Sequence, residues 1–370
     1  MRINSFELHR LEMPLVRPFR TSFGVEFARD VLLLKVVTDE GIGWGECVSG
    51  RDPLYSPEYV DGSIDVLNRY LFPRVLALGE IDAEEVAGIL EPIRGYPMAK
   101  SVIEMALLDA QLRAADTSWA TYFGSTRDIV PSGVSVGIPA DDKMETLISE
   151  VATYVDAGYV RIKLKIQPGW DIDATREVRR LWPDIPLQVD ANQAYTRADI
   201  KHLSKLDEFN LLLIEQPLRE EDILGHAKLV TAIDTPVCLD ETVVSLELAE
   251  QCLDLNACDI INIKPGRVGG YIEAKKIHDL CVEREIPVWC GGMLETGIGR
   301  AANIALASLP GFTVVGDISE SARFYTKDIT APFILDNGQM HVPQGAGLGV
   351  EVDAETLKSL TTWTQTIDAR

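Results

Sequence analysis

The stretch that decides the fold begins at Arg161-Ile-Lys-Leu-Lys-Ile166, a short apolar run carrying two lysines one residue apart. Acids then recur at an even beat: Asp190 in LQVDAN, Glu215 in LLLIEQP and Asp240 in VCLDET, followed by Lys264 in IINIKPG. Each ends a mostly apolar run, and the interval from one to the next is about 25 residues. One buried parallel strand, one covering helix and two short loops consume such a period. A functional residue at the C-terminal end of each of five successive strands is how a (β/α) barrel builds an active site. Side chains alternate along a strand, so Lys163 and Lys165 share a face. With Pro131–Ile138 as strand one, its proline at the tolerated first position, the lysine pair lies on strand two. The acids fall on strands three, four and five, and Lys264 on strand six. In a ring of eight, strands two and six face each other across the mouth.

Three inward carboxylates at Asp190, Glu215 and Asp240 would repel one another unless a cation sat among them. One acid near a strand end commonly caps the next helix. Three on adjacent strands point instead to a metal, and an all-oxygen set with no nearby His or Cys favours Mg²⁺, with Mn²⁺ as the alternative. Glu241 is expected as an outer partner. Asn192, on the same face as Asp190, is expected to bond the carboxylates. Burying Lys163, Lys165 and Lys264 without purpose is costly. Crowding by the metal, by one another and by Arg267 is expected to lower a lysine pKa toward neutrality, where the amine can act as a base. Gly291 and Gly292, in GGMLETGIG, leave the backbone open to a substrate at the mouth of strand seven. The spacing matches neither a dinucleotide nor a phosphate loop. His9, His202, His226, His278 and His341 are scattered and read as structural or surface residues.

The chain has 370 residues, 46% of them hydrophobic, enough for a barrel plus a smaller partner domain. A net charge of −22 argues against nucleic acid and against an anionic membrane surface. It also means that local cations must recruit an anionic substrate. No apolar leader or membrane-length span is evident, so a cytoplasmic protein is expected. Six cysteines without CxxC spacing read as buried reduced thiols. A symmetric homo-oligomer is the default expectation.

Taken in order, residues 1–125 read as an α+β capping domain, with strands at Ser5–Arg10, Val31–Thr38 and around Trp44. Loops follow at Arg17–Gly24 and Ser49–Pro57, and a helix at Ala99–Ala114. Residues 126–318 read as a (β/α)₇β TIM-type barrel, with helices at Thr196–Glu208 and Val268–Glu285 among others. Phe312–Ile318 is its eighth strand, and no helix follows. Residues 319–370 are expected to fold back on the capping domain and complete it.

The motifs IKLKI, VDAN, IEQP, LDE, NIKPGRVGG and WCGGMLETGIGRA, in this order, resemble the enolase superfamily, and within it the muconate-lactonising subgroup. A catalytic His of the mandelate-racemase kind is missing, because that place near strand seven reads Trp-Cys-Gly-Gly. Lys264-Pro-Gly-Arg267 together with the glycine-rich loop resembles the o-succinylbenzoate synthase / N-succinylamino acid racemase (N-acylamino acid racemase) family. The resemblance implies that Lys165 removes a proton α to a carboxylate bound to Mg²⁺, that Lys163 tunes Lys165, and that Lys264 serves the opposite face. It implies substrate contacts from Phe19, Tyr55, Ser135, Met293 and Phe324, with Asn192, Arg267, Gly291 and Gly292 beside them. It also implies a place in menaquinone biosynthesis for the synthase reaction. Dipeptide epimerases carry an Asp-x-Asp clamp where this chain has Asp317-Ile-Ser319, which puts that alternative behind. A muconate-type cycloisomerase shares the machinery, and a catalytically dead barrel would be expected to have lost some of it.

Overall fold

The computed structural model describes residues 1–369. An antiparallel sheet opens the chain, formed by Ile3–Arg20, Val25–Thr38 and Ile42–Cys47, and the late strand Thr361–Asp368 pairs with the first of them. Helix Pro97–Ala114 lies on this sheet and is buried on most of its circumference. A Cβ at Gly43 would stand 2.1 Å from the Ala106 carbonyl oxygen, so only glycine permits so close an approach.

Arg17–Gly24 is not simply a loop: the first strand continues to Arg20, and the turn is confined to the residues after it. That strand leaves its partner after Pro14 and rejoins it at Phe19. Pro14 and Pro18 lack the N–H that a ladder needs. In the gap, Val16 N–H donates to Phe324 O at 2.9 Å. The detour sets Phe19 edge-to-face with Phe324, ring centroids 6.3 Å apart, above the second domain.

There, seven parallel strands run in sequence order: Gly133–Val136, Arg161–Lys165, Leu187–Asp190, Ile214–Glu215, Val237–Leu239, Ile260–Ile263 and Val288–Cys290, strands one to seven. Their continuous burial is what a parallel sheet covered by helices requires. The expected helix Thr196–Glu208 is present as a continuous helical run whose winding changes along it, 3₁₀ at Arg197–Asp199, α at Ile200–Leu203 and 3₁₀ again at Ser204–Phe209. Asn210, at φ 47°, ends it. Val268–Glu285 divides, into Pro265–Val268 and Tyr271–Glu283, at Gly269 and Gly270 with φ of 99° and 147°.

Phe312–Ile318 makes isolated bridges in place of a regular strand. It nonetheless bonds to both edges: Val314 N–H to Val288 O at 3.2 Å, Asp317 N–H to Cys290 O at 3.1 Å, and Gly133 N–H to Gly316 O at 3.0 Å. Gly316 lies so near strand seven that a Cβ would stand 2.6 Å from the Cys290 carbonyl oxygen. The segment therefore closes the ring. One apolar core runs from the N-terminal sheet through helix Pro97–Ala114 into strands five to seven. A second fills the space between strands one to four and their cover. All six cysteines are buried and unpaired, as expected. Among the described residues, no helix is long and apolar enough to cross a membrane.

Candidate active site

The strand register places Lys165, Asp190 and Glu215 side by side at one level of the ring. Asp240 stands one strand further on, two residues beyond the Cys238 that pairs with Glu215. Lys163 lies a step below, between Ser135 and Gln188. All of these carboxylates and lysines are buried.

Each acid is drawn onto a cation of the chain. Lys165 Nζ donates to Asp190 Oδ2 at 2.5 Å and to Asn192 Oδ1 at 2.7 Å. Lys163 Nζ donates to Glu215 Oε2 at 2.9 Å and sits 2.5 Å from Asp317 Oδ2. Lys264 Nζ donates to Asp240 Oδ2 at 2.8 Å and to Tyr55 Oη at 3.0 Å. Arg267 donates to Asp240 Oδ1 as well. Asn262 Nδ2 donates to Glu215 Oε1 at 2.7 Å, and Asn192 Nδ2 to Glu241 Oε1 at 3.0 Å.

With the chain's own charges alone, the Lys163 and Lys264 amines move up in pKa from their ordinary values, not down. Burial acts to lower Lys163, but Asp317, Glu215 and Asp190 outweigh it and hold the amine above its ordinary value. Lys264 is raised likewise, against burial, by Tyr55, Glu215 and Glu241. The expectation of a lowered pKa counted a metal among the neighbours, whereas the charges this chain itself supplies act the other way. Asp190 resists burial and is held down to about 2 by Lys165 and Lys163. Glu215 is pushed up, first by burial and then by Asp190.

Among the described residues, no three His, Cys, Asp or Glu side chains converge closely enough to hold an ion as they stand. The donor set still suits a hard dication. It is all oxygen, it is buried, and Glu241 Oε2 beside it has no hydrogen-bond partner. Burial, then Asp190, pushes the Glu241 carboxyl to about 7, the response of an acid short of positive charge.

Above this floor lies a cavity of about 300 Å³. Phe19, Tyr55, Ser135, Lys163, Lys165, Asn192, Lys264, Gly292, Met293 and Phe324 line it. Arg267 and Gly291 do not. Arg267 stands behind the lining, its Nη1 donating to Tyr55 Oη at 2.9 Å as well as to Asp240 and its Nη2 to Asn262 O at 2.9 Å. At Gly291 a Cβ would strike the Asn262 side chain at 2.3 Å, so that glycine makes room for a neighbour.

Sequence reading passed over Arg161 and Trp289, and gave Asp317 no part in the site. Asp317 pairs with Arg161 at 2.8 Å as well as with Lys163, and the Lys163 amine stands 4.8 Å from the Trp289 ring centroid. Alternation put Arg161 on the lysine face, and that signal was available. Nothing in the sequence showed that Asp317 would reach across from the closing segment.

Residues 6–124 match the family described as "Mandelate racemase / muconate lactonizing enzyme, N-terminal domain", and residues 146–356 match "Enolase C-terminal domain-like". The chain is 56% identical to an N-succinylamino acid racemase of Amycolatopsis sp, with 98% of each chain covered. It is 44% identical to the o-succinylbenzoate synthase of Geobacillus kaustophilus, covering 96% of this chain and 94% of that one. Among solved structures, an enolase-superfamily member from Listeria innocua superposes with a TM-score of 0.95 at 39% identity, all of both chains covered. With this architecture and these matches over nearly its whole length, the chain belongs to the mandelate racemase / muconate lactonizing enzyme family of the enolase superfamily.

Proposed function

We propose that this chain is a metal-dependent enzyme that removes the proton α to a substrate carboxylate. It acts as an o-succinylbenzoate synthase, an N-succinylamino acid racemase, or both. The observation that carries the reading is the pair Lys165 and Lys264. These two buried amines, on strands two and six of a closed ring, line one cavity above a floor of carboxylates.

In this reading Asp190, Glu215 and Asp240 hold Mg²⁺, or Mn²⁺, which when bound would draw the substrate carboxylate and stabilise developing enediolate charge. Lys165 takes the α-proton. Asp190 and Asn192 orient its amine, which lies 5.9 Å from the Phe19 ring centroid. Lys163, fixed between Glu215 and Asp317, tunes Lys165 and lends charge to the carboxylate. In dehydration, 2-succinyl-6-hydroxy-2,4-cyclohexadiene-1-carboxylate loses its α-proton and its hydroxyl from one face. Lys165 returns the proton to the departing oxygen, water leaves, and the ring becomes aromatic; Lys264 supplies only charge. In racemisation, Lys264 delivers its own proton to the opposite face of the α-carbon while Lys165 keeps the one it took.

The dipeptide-epimerase alternative meets a specific obstacle. The one acid of Asp317-Ile-Ser319 is already engaged by Lys163 and Arg161 and is not free to receive a substrate ammonium. A muconate-type cycloisomerase differs only in what is admitted. Assay of the dehydration, before and after dialysis against EDTA and after Mg²⁺ is restored, tests the reading. Activity lost and regained is expected; full activity after chelation would contradict the metal's part.

A further inference from the structure

Two buried glutamates of the N-terminal domain are plugged into the N-termini of barrel helices. Glu104, on helix Pro97–Ala114, accepts from Tyr271 N–H at 2.5 Å and Ile272 N–H at 3.1 Å, at the start of Tyr271–Glu283. Gly270 is glycine for this contact, since a Cβ there would stand 2.3 Å from Glu104 Oε1. Glu46, on strand Ile42–Cys47, does the same at the start of Gly297–Ala307. Its Oε1 accepts from Thr296 N–H at 3.0 Å, and its Oε2 from Thr296 Oγ1–H at 2.7 Å and Gly299 N–H at 3.0 Å. Unsatisfied N–H groups and the helix dipole make such termini good seats for a carboxylate.

The two contacts differ in what lies beside them. Neither Tyr271 nor Ile272 lines the cavity, whereas Met293, Leu294 and Glu295, immediately before Thr296, form one of its walls. Within the barrel it is tied through Glu295, whose carbonyl accepts from Arg300 Nη2 at 2.9 Å and whose Oε1 accepts from Asn303 Nδ2 at 2.9 Å. Tyr325 Oη–H donates to Leu294 O at 2.5 Å, and Asp328 Oδ1 accepts from Gly297 N–H at 2.9 Å; both come from the closing C-terminal segment. Glu46 is the N-terminal domain's hold on the same loop.

We propose that Glu46 is a positioning residue: by seating on Thr296 and Gly299 it sets the wall that Met293, Leu294 and Glu295 present to the substrate. Docking of the N-terminal domain thereby becomes part of the active site, while Glu104 makes a contact that stabilises the same interface without reaching the cavity. The proposal rests on the functional reading above for its substrate, but not for its geometry. Small misplacements of a positioning wall cost rate or affinity out of proportion to their size.

The test compares Glu46→Ala, Glu104→Ala and Thr296→Val in the full chain. Three readouts are taken: melting temperature, kcat and KM for racemisation of N-succinyl-L-phenylalanine, and amide hydrogen exchange of the peptide spanning residues 291–299. Both glutamate variants should melt lower. Glu46→Ala alone should raise KM by about tenfold and speed exchange of that peptide by about tenfold or more, with Glu104→Ala within about twofold of the parent in both. Thr296→Val, which keeps the shape but removes the hydroxyl that donates to Glu46 and accepts from Ile298 N–H, should move KM and exchange in the same direction by about threefold, and it carries the test if Glu46→Ala does not fold. Unchanged KM and unchanged exchange in the Glu46 variant, or equal effects from Glu104→Ala, would overturn the proposal. A parent chain inactive on this substrate would remove the racemase half of the functional reading instead, and the exchange measurement would still decide on Glu46.

Discussion

The floor of the cavity and its overhang are built by opposite rules. On the floor, Lys163, Lys165, Asp190, Glu215, Asp240 and Lys264 are buried at strand ends, and each has at least one partner of opposite charge. In the overhang, Val25, Phe27 and Leu54 are 42%, 69% and 58% exposed, apolar side chains standing in solvent around the mouth. Misplacing a floor group leaves a buried charge unpaired, which is expensive. Replacing an overhang group costs the folded chain little. The contrast teaches that the chemistry is fixed by the ring, while what is admitted is set by segments free to change.

The sharpest way to break this comparison is Lys165→Ala. The account expects it to lower both dehydration and racemisation by about three orders of magnitude. A folded variant keeping more than about one per cent of either rate would remove Lys165 from the role of base. Lys264→Arg should separate the two reactions, because arginine keeps the charge but does not give up a proton near neutral pH. Racemisation should fall about a hundredfold and dehydration about tenfold or less; equal losses would contradict separate roles for the two lysines. In the overhang, Phe27→Ala should raise KM for a substrate with an aromatic side chain by about three- to tenfold, with kcat and melting temperature nearly unchanged. A large loss of kcat would show that the mouth takes part in the chemistry.

The smallest effect concerns stability. Burial pushes Glu104 up to about 8, against an ordinary 4.5. The folded chain thus keeps this proton to higher pH than the unfolded chain does. The stability it confers is fully present below the ordinary value and is lost as pH rises through the raised one. Glu46 and Glu58, both pushed up to about 7 chiefly by burial, act in the same sense. The low carboxyls Asp190 and Asp317 are fully ionised throughout that window and add no slope. Melting temperature should therefore fall from about pH 6 to about pH 9, and fall less in Glu104→Gln. An identical slope in the two proteins would contradict the assignment.

The legibility of the sequence follows the same division. Lys165, Asp190, Glu215, Asp240 and Lys264 repeat with the period of a strand and its helix, so alternation and spacing were enough to put them on one face of one ring. Phe312–Ile318 was legible as the eighth position but not as an irregular closure, because hydrogen bonds to two edges leave no trace in an apolar run. Arg267 and Gly291 looked like substrate contacts because they sit in the right loops. What surrounds them, the Asp240, Tyr55 and Asn262 partners of the Arg267 guanidinium and the Asn262 side chain packed on Gly291, depends on neighbours that the local motif does not reveal. Glu46, Glu104 and Asp317 were silent for the same reason. A lone acid in a strand or helix does not announce that it will cap or pair with an element distant in sequence.

The most direct test of the central claim is proton NMR of N-succinyl-L-phenylalanine in D₂O with Mg²⁺, following the α-proton and the optical rotation together. The account predicts that the α-proton signal disappears while the rotation decays to zero, because one lysine removes the proton and the facing lysine returns a deuteron. An α-proton that persists, with rotation unchanged at an enzyme concentration that supports dehydration, would contradict a two-base site and leave the chain a synthase alone.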